Sequence, residues 1–169
     1  MAEVKPNPAL QNNALKMANQ SSGRVALTFH EILTKVNNAK DKAKKLEILR
    51  QYDSPSLRQI LKGAFDPKID WDLPKGAPPF IANEAPVGTE HTYLDQEAKR
   101  LWHFVKGADP KLSKTRKEMM YIQMLEGLHA DEAKLLISVK EKNLNATYKG
   151  LTDAVVKEAF GWNDDYKTS

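Results

Sequence analysis

The sequence predicts an all-α fold, namely a compact bundle of six or seven short helices with a long proline-rich irregular strap. The main observation is periodicity: between residues 25 and 160, apolar side chains recur three and four positions apart, which places them on one side of an α-helix. The second is the position of helix-ending residues, because glycines, prolines and paired asparagines separate the periodic segments. The third is size, since 169 residues with 41% hydrophobic side chains suffice for one core. We therefore expect a single helical domain over residues 23–162.

The N-terminal third of the chain is predicted to contain a flexible lead and two helices. Asn, Gln and two prolines are frequent in residues 1–22, which favours a flexible lead. The first helix is predicted over residues 25–36, ended by two asparagines, and its apolar side is formed by Phe29, Ile32, Leu33 and Val36. The second is predicted over residues 40–52, with inward side chains Ala43, Leu46, Leu49 and Tyr52.

A third helix is predicted to begin at Pro55 and to end near Phe65. Ser54 can accept a hydrogen bond from the first backbone N–H groups, and proline suits the first helical position because its missing donor is not needed there. We expect the inward side chains to be Leu57, Ile60, Leu61, Ala64 and Phe65.

Residues 66–92, which we call the strap, contain five prolines and no helical period. The strap either packs across the surface or separates two parts of the domain and is itself a binding element. The regular spacing of its apolar side chains favours packing, through Ile69, Trp71, Leu73, Phe80 and Ile81. Alternation at the first three of these permits a short extended piece, although one strand without a partner does not make a sheet.

Four more helices are predicted in the C-terminal half. The fourth, over residues 93–106, buries Trp102 among others and ends at a left-handed glycine cap, Gly107. The fifth, over residues 113–128, is apolar nearly all round, so we expect it to be the central helix of the core. The sixth and seventh are predicted over residues 130–142 and 152–160, and residues 163–169 are predicted to be a loose tail.

Composition excludes several classes of protein. The chain has no cysteine, which excludes a disulfide scaffold, a thiolate zinc site, an iron–sulfur cluster and a cysteine nucleophile. Its longest apolar runs are far shorter than the roughly 20 residues of a membrane span, so no membrane partner is expected. The start of the chain has no basic stretch followed by an apolar one, so we expect the protein to stay inside the cell or to end in a particle.

Catalytic and cofactor motifs are not found. His30-Glu31 resembles the start of a zinc-protease helix, but the position of the second histidine is occupied by Thr34. Asp70 and Asp72 lie two apart in a stretch expected to be exposed, whereas catalytic carboxylate pairs need burial to separate their pKa values. No glycine-rich phosphate loop follows a strand. The sequence therefore predicts no catalytic site, no metal and no cofactor.

The remaining candidate is a basic surface. Residues 24–63 hold nine basic and four acidic side chains, whereas residues 64–92 hold two and five. A second basic group lies at the start of the fifth helix, where positive charge opposes the helix dipole. A basic face attracts polyanions, although a solvated face on a lysine-rich helix is the alternative explanation. The predicted binding residues for nucleic acid or an acidic partner are Lys40, Lys42, Lys44, Lys45, Arg50, Arg58, Lys62, Lys114, Arg116 and Lys117.

Three phrases of the sequence carry a resemblance. They are ILRQYDSPSLRQILKGAFDPKIDWDLPKGAPPF at 48–80, RKEMMYIQMLEGLHADEAKLLISVKEKNL at 116–144 and YKGLTDAVVKEAF at 148–160. Together they resemble a family of uncharacterised proteins from large contractile-tailed bacteriophages, notably those of marine cyanobacteria. The resemblance covers about residues 24–161 and supplies no functional residues. It implies a phage product made in the cytoplasm of a bacterial host. The family that the chain resembles has no established activity.

Three functions stay open at this level. The first is a non-enzymatic phage protein that engages nucleic acid, or a nucleic-acid-handling protein, through the basic helical surface. The second is a minor virion or assembly component that docks on other structural proteins through the strap and the chain ends. The third is an enzyme that uses His30 and Glu31, or Asp70 and Asp72.

Overall fold

The structure is a computed structural model that describes residues 27–83 and 91–168. Apart from isolated β-bridges, the regular secondary structure of these residues is helical, which confirms the all-α prediction. The α-helices are α1 (Phe29–Asn38), α2 (Lys42–Gln51), α3 (Pro55–Phe65), α4 (Leu94–Glu97), α5 (Lys114–Gly127), α6 (Ala130–Glu141), α7 (Leu144–Thr147) and α8 (Asp153–Phe160). A 3₁₀ helix, Ala98–Phe104, directly follows α4. The predicted lead at residues 1–22 lies outside the described residues.

Local side-chain hydrogen bonds determine where α1 and α3 begin. The Thr28 hydroxyl accepts from the Glu31 N–H at 3.2 Å, and the Glu31 carboxylate accepts from the Thr28 N–H at 2.8 Å. This reciprocal pair starts α1 at Phe29, later than predicted. At α3 the Ser54 hydroxyl accepts from the Leu57 N–H at 3.1 Å, and Pro55 occupies the first turn, which confirms that start.

The helices at the centre are α3 and α6, not α5. Helix α3 packs against α4, α6 and the 3₁₀ helix, and α6 also contacts α1, α5 and α7. The prediction that α5 is the central helix is wrong, because only four of its fourteen residues are buried and Met119 is 52% exposed. Its apolar segment instead has one outer side that faces solvent. The inward residues of α3 are confirmed except Phe65, which is half-buried.

The predicted fourth helix is divided and ends early. The chain forms a single turn, α4, and then the 3₁₀ helix, which ends at Phe104. Trp102, expected to be inside, is 46% exposed. Gly107 has the left-handed φ of 82°, but it lies beyond the helix end, because Val105 has already turned to an extended conformation and pairs with Trp71 of the strap. Contact with the strap therefore replaces the last predicted turn.

Residues 66–83 of the strap are irregular and pack on the helices. Trp71, Leu73 and Phe80 contact the core, whereas Ile81, expected to pack, is 79% exposed. Two lysines of the helices hold the strap. The buried Lys140 ammonium donates to the carbonyls of Pro74 (2.6 Å) and Gly76 (2.8 Å). The second, Lys117, donates to Asp72 at 2.8 Å.

Two smaller expectations differ from the structure. Ala43, predicted to point inward, is exposed on α2, where Leu46 and Leu49 form the buried side. The tail was predicted to be loose after Trp162, but Tyr166 is 5% exposed because the chain turns back and Trp162 pairs with Thr168. None of the helices in the described ranges 27–83 and 91–168 has the length and apolar character needed to cross a membrane.

Candidate functional site

Much of the predicted basic surface is engaged within the molecule. Lys42 on α2 forms an ion pair with Glu158 of α8 at 2.6 Å. Lys44 lies 3.7 Å from Glu47 on its own helix. Each of these lysines therefore has an acidic neighbour that reduces its local positive charge.

The two arginines of this surface make contacts within the molecule that join α2 and α3 to α8. The Arg50 guanidinium donates to the carbonyls of Ala159 and Glu158, both at 3.1 Å, and so satisfies the C-terminal end of α8. Arg58 donates two hydrogen bonds of 2.7 Å to Asp53 and lies 4.8 Å from the ring centre of Phe160. The hydrogen bond from Arg58 lowers the pKa of Asp53 below its usual value. Each arginine uses two of its five N–H donors in these hydrogen bonds, so only the remaining donors are available to a partner.

The second predicted group does not form one surface. Lys117 is only 4% exposed, so its predicted place on an exposed basic surface is wrong. Its ammonium is hydrogen-bonded to Asp72, and that bond lowers the pKa of the carboxyl group. Lys114 also lies 3.8 Å from Asp72. Arg116 is exposed and has no ion pair with the described residues.

Four lysines that form no ion pair with a described residue lie around the C-terminal end of α1. A Cβ atom added to Gly150 would stand 2.6 Å from the Lys45 Nζ and 3.0 Å from the Asn37 carbonyl oxygen, so the end of α1, the first turn of α2 and the Gly150 loop meet closely. The Gly150 N–H also donates to the Asn37 side chain at 2.7 Å. The α1-end lysines, as we call this set, are Lys35, Lys40, Lys45 and Lys149; none forms an ion pair with a described residue.

Two of the α1-end lysines were absent from the sequence prediction. Lys35 stands alone on α1, and Lys149 is far along the chain from the lysine-rich second helix, so no local density marked either one. The acid next to Lys40 in the sequence, Asp41, uses its carboxylate to accept from the Lys44 N–H at 2.9 Å. Lys62, a predicted residue on the last turn of α3, also forms no ion pair with a described residue.

Three of the four residues of the enzyme hypothesis, His30, Glu31 and Asp72, make contacts within the fold. The Glu31 carboxylate belongs to the cap of α1, where it accepts from the Thr28 N–H. His30 hydrogen-bonds the Tyr148 hydroxyl at 2.7 Å and lies 3.7 Å from Asp131. Burial raises the pKa of Tyr148, which keeps its hydroxyl protonated. In the part of the chain that is described, no three His, Cys, Asp or Glu side chains are arranged to hold a metal ion.

The comparisons with known proteins give one match. A family model described as "Family of unknown function (DUF6433)" matches residues 32–146. This range is more than half of the chain and runs from α1 into α7. No curated protein and no solved structure matches the chain.

Proposed function

Since this chain belongs to DUF6433, a family of unknown function, we propose its function from its own surface. It is a non-enzymatic binding protein that engages nucleic acid, and the contact is made by the α1-end lysines. The resemblance of its sequence to proteins of contractile-tailed phages supports a role during infection, in the cytoplasm of a bacterial host.

The observation that carries the proposal is that four lysines, none of which forms an ion pair with a described residue, come from four segments of the chain that meet around the C-terminal end of α1. Lysines at the end of a helix complement its dipole, but one or two suffice for that and the effect is small, about 0.3–1 kcal/mol each. Here α1, the link to α2, α2 itself and the Gly150 loop each supply a lysine. Phosphates spaced along a nucleic acid offer several charges to such a group at once.

The predicted α2 surface supports the proposal less well. Lys42 and Arg50 join α2 to α8, so replacing them would alter the fold as well as the surface charge. A charge variant that includes them could not separate binding from stability. The α1-end lysines allow that separation because no ion pair with a described residue is lost when they are changed.

The test is fluorescence anisotropy with labelled single- and double-stranded DNA and RNA at about 50 and 200 mM salt. If all four lysines contact phosphates, the affinity for duplex DNA should fall about 100-fold over this range, because each contact contributes about 0.9 to the salt slope. Replacing the four lysines by glutamine should lower that slope by about 3–4 units. If the wild-type protein binds none of these nucleic acids at either salt concentration, the proposal is refuted.

A matched control removes the same charge elsewhere. Lys99, Lys111, Lys134 and Lys167 are exposed and have no ion pair with the described residues. The quadruple glutamine variant of this set should keep the wild-type salt slope. An equal loss in both variants would show that net charge, not the α1-end lysines, causes binding.

A virion or assembly component is the second candidate. Large apolar side chains that are exposed on the strap, the 3₁₀ helix and α5 favour it, namely Ile81, Trp102 and Met119. This hypothesis requires the protein in purified particles at peptide counts comparable with those of structural proteins, and its absence there would remove the hypothesis.

A further inference from the structure

The strap contains a short extended piece that uses only one of its two edges. The Asp72 N–H donates to the Phe104 carbonyl at 2.7 Å, and the Lys106 N–H donates to the Asp70 carbonyl at 2.8 Å. Trp71 therefore stands opposite Val105 at a non-hydrogen-bonded position of an antiparallel pair. The N–H and C=O of a residue at such a position point away from the paired strand.

The outer edge of this piece has no partner at Trp71 and Leu73 in the described part of the chain, whereas the Ile69 N–H donates to the Asp66 carbonyl at 3.1 Å. Neither the backbone N–H nor the C=O of Trp71 hydrogen-bonds another described residue, and the same holds for Leu73. The edge is held in place, because the Trp71 indole N–H donates to the Gly63 carbonyl at 3.2 Å. An extended backbone with unpaired donor and acceptor groups is a template for a further strand.

Clefts lie along the same piece, and Asp70 is common to them. Trp71 and Asp70 both line a cleft of about 250 Å³ and another of about 450 Å³. Asp70 also lines a third, of about 750 Å³, with Phe65, Ile69 and Asp153. Its side chain is 71% exposed, and the nearest cation, the Lys106 Nζ, is 4.0 Å away.

The largest of these three clefts has walls suited to a long basic side chain. Phe65 and Ile69 offer apolar contact for an aliphatic stem, and the carboxylates of Asp70 and Asp153 offer contact for a cationic head. Lys142 lines it too, but its ammonium already donates to the carbonyls of Gly63 and Asp66, at 2.6 and 2.9 Å.

We propose that the Ile69–Leu73 edge binds an extended peptide segment of a partner protein, with backbone pairing to Trp71 and an arginine or lysine side chain of the peptide at Asp70. The unpaired amide and carbonyl match the donor and acceptor spacing of another extended backbone, and the exposed carboxylate favours the basic side chain. A second copy of this chain fits poorly, since pairing centred on Trp71 would set Asp70 of one copy opposite Asp72 of the other. This edge differs from the α1-end lysines, so the proposal does not rest on nucleic-acid binding.

The probe is a fluorescein-labelled nine-residue peptide of alternating threonine and valine with arginine at its centre, titrated at about 50 mM salt. We expect saturable binding, and at least ten-fold weaker binding in one of two peptides N-methylated at alternate residues, because methylation removes the donors of one edge. Citrulline in place of the arginine keeps the shape without the charge and should weaken binding about five-fold. Absence of saturable binding, or equal affinity of both N-methylated peptides and the parent, would overturn the proposal.

Two variants locate the contact on the protein. Asp70→Asn should remove the preference for arginine over citrulline, whereas Glu118→Gln, an acid that lines the smallest cleft, should keep it. The Trp71 amide should also exchange more slowly with solvent deuterium when the peptide is bound. Unchanged exchange at Trp71, or a preference for arginine that persists in Asp70→Asn, would contradict the assignment. The α1-end glutamine variant should bind the peptide as the wild type does, so the two proposals fail separately.

Discussion

Replacing Glu132 by alanine should lower the free energy of unfolding by about 2–6 kcal/mol. The Glu132 side chain is 1% exposed and accepts hydrogen bonds from the N–H groups of Phe29 at 3.0 Å and Leu94 at 3.1 Å. These are the first residues of α1 and α4, so one carboxylate of α6 satisfies the starts of two other helices. Each buried N–H left without an acceptor costs about 1–3 kcal/mol, and the variant leaves two.

The measurement is urea unfolding followed by circular dichroism, with amide exchange at Phe29 and Leu94 as the local readout. Glu132→Gln keeps one oxygen acceptor and should cost about half as much. The control is Glu47→Ala on α2, whose 66%-exposed side chain lies 3.7 Å from Lys44 and should change stability by less than about 1 kcal/mol. A loss of less than about 1 kcal/mol in Glu132→Ala, or no change in exchange at either amide, would refute the reasoning.

Two further outcomes follow from packing and charge. Gly63→Ala should destabilise the protein by about 1–3 kcal/mol and shift the tryptophan emission, because the new Cβ would stand 2.7 Å from the Trp71 ring; unchanged emission and stability would contradict this close contact. Asp72→Asn should cost about 2–3 kcal/mol at pH 7 by removing the charged partner of buried Lys117. The pKa of Asp72 is lower in the folded protein than in the unfolded chain. The ion pair therefore contributes fully to the free energy of unfolding above the ordinary carboxyl pKa of about 3.9, and this contribution is lost as the pH falls through the lower pKa of the folded state. The stability difference from the wild type should therefore shrink below about pH 4, and a constant difference in acid unfolding curves would be inconsistent with the ion pair.

Helix identity was predictable where the signal is local. The start of α3 follows from Ser54 and Pro55, whose capping chemistry acts within four residues. The inward side of α1 follows from the spacing of its apolar residues alone, and all four predicted positions are buried. Both signals concern residues that are neighbours on one helix, so they do not depend on the rest of the fold.

The candidate site was only partly predictable, because charge density in a sequence does not show which charges are paired. Lys42, Arg50 and Arg58 appear as surface charge along the chain, yet each contacts a residue of α8 across the molecule. In the sequence, Lys117 belongs to a basic group at a helix start. In the fold, its side chain is buried and its ammonium pairs with Asp72 of the strap. Lys149 joins the α1-end lysines only because Gly150 allows close approach to Asn37.

The class of fold, the start of α3, the apolar side of α1 and the irregular course of residues 66–83 follow from the sequence alone. Tertiary structure decided that α3 and α6 are central, that α5 has a solvent-facing side and that the fourth helix ends early against Trp71. It also decided which lysines remain available for a partner. The physical reason is range: capping and helical periodicity act over a few residues, whereas burial and ion pairing depend on which distant side chain occupies the adjacent space.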